Sequence, residues 1–198
     1  MAYIPPNING QTTMANSAPV VIASDQTVKV SITPSPPITY TASATAVASA
    51  ALATDIFTIT GSATKTISIN RIDINGVQTT AGQASILLIK RSTADTGGTP
   101  TAITKVPLDS LSTASSATVL AYTANPTVGT AIGTLSSTRI FLPGATTASD
   151  AQGMSIPYGG LGGQQLTLRG ISQVLAVNLN GATVAGGSLN INIEWTEA

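Results

Sequence analysis

From residue 38 onward, hydrophobic side chains tend to recur at every second position in short runs bounded by Gly, Pro, Asn or Ser, a period that predicts strands. The clearest run is Ser188–Trp195, where Leu189, Ile191, Ile193 and Trp195 share one face and Asn190, Asn192 and Glu194 the other. The remaining candidate strands are Asp55–Thr60, Lys65–Asn75, Ala84–Arg91, Thr118–Thr123, Thr138–Leu142, Gln164–Arg169 and Gln173–Leu179. The phase breaks once: Ile67 and Ile69 point one way, Ile72 and Ile74 the other, so an extra residue at Asn70–Arg71 predicts a β-bulge or a strand that bends between sheets. Gly61–Ser62 joins two strands, and Asn75–Gly76 and Asn180–Gly181 read as hairpin turns that tolerate positive φ. No helical period continues past Arg91, and Leu108–Ala117 holds one short helical turn at most. The fold class is therefore all-β: a jelly-roll-like antiparallel β-sandwich.

Residues 1–37 have a different character. Pro19-Val20-Val21-Ile22-Ala23 and Thr27-Val28-Lys29-Val30-Ser31-Ile32 are short apolar runs with nothing local to pair with except each other. The cluster Pro34-Ser35-Pro36-Pro37 then favours polyproline II and blocks a helix. The division expected is an extended N-terminal arm with a Pro-rich linker over 1–37 and a β-sandwich body over 38–198. A disordered terminus is the alternative, but disordered tails rarely carry so many branched apolar residues. Val20, Val21 and Ile22 are the candidate docking contacts of the arm, and Val28, Val30 and Ile32 the candidates for strand addition to a partner's sheet.

Composition narrows the function. Lys plus Arg number 8 and Asp plus Glu number 8, for zero net charge and only 8% charged residues. No basic field exists to hold phosphates, which argues against a nucleic-acid partner. Cys and His are both absent, removing disulfides, thiol nucleophiles, imidazole chemistry and Cys/His zinc sites. Aromatic residues make up 4%, so the core is built from small side chains that each bury little area. Uncharged Thr/Ser/Ala edges invite pairing, and both facts point to a homo-oligomer. Residues 1–6 lack a basic start followed by an apolar core. Thr41–Thr54 is apolar by count but is mostly Ala, Ser and Thr and shorter than the ~20 residues that span a bilayer. It reads as a loosely packed strand or loop, and no membrane partner is expected.

Candidate chemistry is sparse. A Ser–Lys dyad would have to use Lys29, Lys65, Lys90 or Lys105, each in ordinary strand or loop sequence. The eight carboxylates, Asp25, Asp55, Asp73, Asp95, Asp109, Asp150, Glu194 and Glu197, are scattered and read as solvated turn residues and local caps. Gly61–Thr66 ends like a phosphate-binding loop but lacks the Gly before Lys65, and a strand follows where that loop needs a helix, so it reads as a hairpin turn. Tyr158–Gly163 is a Gly-rich loop without dinucleotide spacing. No acidic ladder resembles a calcium loop. Tyr3, Tyr40, Tyr122, Tyr158 and Trp195 are too dispersed for a sugar platform, and Trp195 is expected in the core. The reading is a non-enzyme that folds without metal or cofactor.

Two stretches carry a resemblance. Asn9–Gln26, NGQTTMANSAPVVIASDQ, resembles a recurrent segment of tailed-bacteriophage virion proteins. Asp55–Thr66, with Leu168–Ser172 and Ile193–Glu197, resembles the body of similar phage structural proteins. The resemblance implies a capsid decoration (cement) protein on the head surface, made in the host cytoplasm during assembly. It implies a homotrimer seated on the major capsid protein, with the arm across capsid junctions and a mechanical function. The alternative is a tail-fibre or baseplate module that attaches to the tail or binds a host receptor. The resemblance carries no catalytic or ligand residue.

Overall fold

The computed structural model describes residues 37–146, 153–159 and 163–198. Twelve strands follow one another: β1 (Ile38–Val47), β2 (Asp55–Thr60), β3 (Ile67–Val77), β4 (Gly82–Arg91), β5 (Pro100–Ala102), β6 (Lys105–Pro107), β7 (Thr118–Tyr122), β8 (Ala131–Leu142), β9 (Met154–Pro157), β10 (Leu166–Leu168), β11 (Val174–Asn178) and β12 (Ser188–Glu197). They form two antiparallel six-stranded sheets, and no helix occurs among the described residues. Sheet A runs β10-β3-β12-β1-β6, with β9 also on β3; sheet B runs β5-β7-β2-β11-β4-β8. The inner faces of both sheets share one hydrophobic core, so the body is an all-β sandwich.

Alternation sets which side chains enter that core. Leu189, Ile191, Ile193 and Trp195 of β12 are buried, and Trp195 stacks on Tyr40 of β1 at 5.8 Å between ring centroids. The phase break in β3 is a bulge: Glu194 faces Arg71 while Trp195 faces Ile69, leaving Asn70 as the extra residue. β3 stays in sheet A throughout. β11 is the most enclosed strand. Leu175 and Val177 enter the core, and Val174, Ala176 and Asn178 are buried on the opposite face.

Three turn readings change. Asn75–Gly76 is not a turn but lies inside β3, where β12 passes so closely that a Cβ on Gly76 would collide with the Ser188 carbonyl oxygen. Residues 61–66 are not a hairpin, because β2 and β3 lie in different sheets. Asn180 and Gly181 do take positive φ, 56° and 74°, but their turn also carries the chain from one sheet to the other. Thr41–Thr54 resolves into most of β1 and a turn. Small side chains at Ala42 and Ala44 let β1 pack into the core beside β12.

Candidate functional site

The docking candidates of the arm, Val20, Val21, Ile22, Val28, Val30 and Ile32, lie outside the described residues. The lysines of the body point at oxygen acceptors. Lys90 Nζ donates to the Thr167 carbonyl (3.0 Å), Lys105 Nζ to those of Ser115 (3.2 Å) and Ala117 (2.6 Å), and Lys65 Nζ lies 3.7 Å from Glu197.

Three carboxylates read as solvated are buried instead. Asp55 begins β2, and Arg91 ends β4 two strands away across β11. Arg91 grips Asp55 with Nε (2.6 Å) and Nη2 (2.8 Å), and the Asn178 amide adds a third donor at 2.5 Å. Arg91 Nη1 donates to the Gly129 carbonyl at 2.7 Å, and Gly129 N–H donates to Asp95 Oδ1 at 2.9 Å. The network thus fastens the loops 92–99 and 123–130, which also pair at Thr96 and Thr127. Asp95 Oδ1 stands 3.6 Å from Arg91 Nε, while its Oδ2 is buried without a hydrogen bond. Burial, with Asp55 close by, pushes the Asp95 carboxyl up to about 6 despite the Gly129 N–H and Arg91.

Glu197, at the end of β12, is the opposite case. It accepts from the hydroxyls of Ser115 (2.5 Å) and Ser116 (2.7 Å), from Ser116 N–H (3.1 Å) and from Trp195 Nε1 (3.1 Å). Burial works against its charge, but these donors outweigh burial and hold the carboxyl down at about 2. It pins the 108–117 loop against the Trp195–Tyr40 pair, and Tyr40 adds a hydrogen bond to the Thr113 carbonyl at 2.8 Å. Asp109 is a local cap as expected, accepting from Leu111 N–H at 3.0 Å.

Two surface features remain. Strand β8 forms one edge of sheet B and exposes Ile132 (60%), Leu135 (44%) and Phe141 (37%), with Arg139 its sole charge. Its pairing with β4 slips twice, so that Leu135 and Ile132 are bulge residues thrust outward. Only the last five residues of this strand, Thr138–Leu142, are legible in the sequence, because its first half faces solvent on both sides and shows no alternation.

Beside Leu135, where β8 and β4 approach β10, lies a recess of about 350 Å³ lined by Lys90, Tyr158, Gln164, Gln165, Arg169 and Gln173. No acid lines it. The Lys90–Thr167 bond braces its floor, and Gln173 Oε1 accepts from Arg169 N–H at 2.9 Å. The Tyr158 hydroxyl is buried without a partner, and the Arg169 guanidinium has none among the described residues. No local signal marks this cluster, because its members come from three separated stretches and Gln164–Arg169 reads as a strand.

Among the described residues no three acidic side chains gather to hold a metal ion, and no helix is long and apolar enough to cross a membrane. The chain matches no family model, no curated protein and no solved structure.

Proposed function

We propose that this chain is a structural protein of a tailed-bacteriophage virion, a head decoration (cement) protein that binds the outer capsid lattice and stabilises it as a homotrimer. The observation that carries this reading is the β8 edge: a twelve-residue strand with one charge and three exposed large apolar side chains, a surface suited to cover by another subunit. The order β1-β12-β3-β9/β10 opposite β2-β11-β4-β8 supports a jelly roll, a fold suited to a rigid mechanical part. The virion resemblance of residues 9–26 supports the particle as its location.

Labelling of purified particles tests the proposal. Hundreds of copies over the head are expected, and full-length protein binds undecorated heads while a chain lacking residues 1–33 does not. Undiminished occupancy by the truncated chain removes the arm from the proposal. Light scattering at micromolar concentration gives a trimer, and a stable monomer rejects the oligomer. The recess beside Leu135 favours a second reading, a tail-fibre or baseplate module that binds a host receptor, for which only a few copies at the tail are expected.

A further inference from the structure

We infer that the recess between β8, β4 and β10 binds a carboxylate-bearing sugar, with Arg169 and Lys90 receiving the carboxylate and the glutamine amides receiving the hydroxyls. The inference holds for either placement on the particle.

The lining is rich in donors and carries two cations with no acid among the described residues that line it, in a chain of zero net charge. That local excess calls for an anion. The Arg169 guanidinium is exposed and unpartnered among the described residues, so it meets a carboxylate without breaking an existing ion pair. Lys90 is anchored by one bond to the Thr167 carbonyl, which leaves two of its three N–H donors.

The rest of the lining decides what kind of anion. Gln164, Gln165 and Gln173 each offer both donor and acceptor atoms, as sugar hydroxyls do. The Tyr158 ring and the exposed Leu135 side chain supply the apolar wall that a pyranose face needs. A bare phosphate would leave the amide acceptors unused. An acidic peptide docking as a strand would find three residues of β10 on one side of the recess and, on the other, a β8 edge interrupted by the bulges at Ile132 and Leu135. At about 350 Å³ the recess sits near the lower end of the ~300–1,000 Å³ of small-ligand sites, enough for one or two sugar rings.

Calorimetric titration of the full-length protein tests this with four probes: digalacturonate, its neutral counterpart galactobiose, inorganic phosphate and a hexaglutamate peptide. Digalacturonate is expected to bind at least tenfold more tightly than each of the other three. R169Q, a change at an exposed side chain, is expected to weaken digalacturonate at least tenfold with unchanged circular dichroism. R139Q, on the exposed face of β8, leaves binding intact. Failure of digalacturonate to bind at millimolar concentration overturns the inference, as does equal affinity for galactobiose or undiminished binding by R169Q. Equal or tighter binding of phosphate or hexaglutamate also overturns it and assigns a general anion site or a peptide site instead.

Discussion

Asp95 and Glu197 have almost fully buried side chains, yet burial leaves them in opposite states. Glu197 ends a core strand where a loop brings two serine hydroxyls and the backbone N–H groups of Ser116 and Ala117 to it, and the indole of Trp195 adds a further donor. Asp95 sits in a loop with one backbone N–H donor and must share Arg91 with Asp55, which already holds that guanidinium bidentately. Desolvation opposes both charges, and the count of donors decides which survives. One acid is held down at about 2 and the other pushed up to about 6. Glu197 is thus a fastening that depends on its charge, whereas Asp95 is a charge the fold tolerates poorly.

The largest effect is expected from removing the cation that both loop carboxylates depend on. Arg91→Leu leaves Asp55 and Asp95 buried together with no cation between them, and is expected to cost about 3–5 kcal/mol in urea denaturation at neutral pH. Glu197→Gln keeps the shape but exchanges a charged acceptor of several donors for a neutral amide. It should cost about 2–3 kcal/mol and loosen the 108–117 loop, read as faster amide exchange at Ser116 and Ala117. Asp95→Asn should act in the other direction, stabilising by about 1–2 kcal/mol at pH 7 because a neutral side chain no longer has to be charged in a dry site. If Asp95→Asn destabilises as much as Glu197→Gln does, the contrast between the two acids is wrong.

Titration sharpens the same contrast. The folded pKa of Glu197 lies below its ordinary value of 4.5, so its stabilisation is in place above 4.5 and is lost as pH falls towards about 2. The folded pKa of Asp95 lies above its ordinary 3.8, so the folded state holds the extra proton and stability declines as pH rises from 3.8 to about 6. At ~1.4 kcal/mol per pKa unit, each acid contributes at most about 3 kcal/mol. Stability should therefore peak near pH 4–5. In Asp95→Asn the decline above the peak should flatten, and in Glu197→Gln the loss on the acid side should shrink. The smallest effect expected is Trp195→Phe, which keeps most of the stack on Tyr40 but withdraws one donor from Glu197. It should cost about 1 kcal/mol or slightly more and shift the acid limb towards higher pH.

The two acids also mark how far sequence reading reached. Alternation in Ser188–Trp195 and the phase slip at Asn70 are local signals, and the structure returns both as the buried face of β12 and the β3 bulge. β5 and β6 are three residues each and were not legible, because neighbouring strands and not their own patterns hold them. β1 was missed as a core strand because Ala, Ser and Thr give a faint alternation, though Tyr40, Ala42 and Ala44 are buried. Asp55, Asp95 and Glu197 each take a hydrogen bond from a partner 34 to 123 positions away in the chain, and although Arg91 and Trp195 stand close to Asp95 and Glu197 in sequence, that proximity does not signal burial. The recess escapes for the same reason, since Lys90, Tyr158 and Arg169 meet only when the two sheets that carry β4 and β10 pack together.

The pairing of β1 with β12 has a consequence for how the protein is made. Ile38 lies opposite Glu197, so the first strand of the body waits for its last before sheet A is complete on that side. Until β12 is in place, β1 lacks the strand that covers its edge on that side and the Trp195 ring that covers Tyr40. Closure of so distant a pair makes folding slow. During that interval the chain presents an adhesive strand, open to pairing with a second copy.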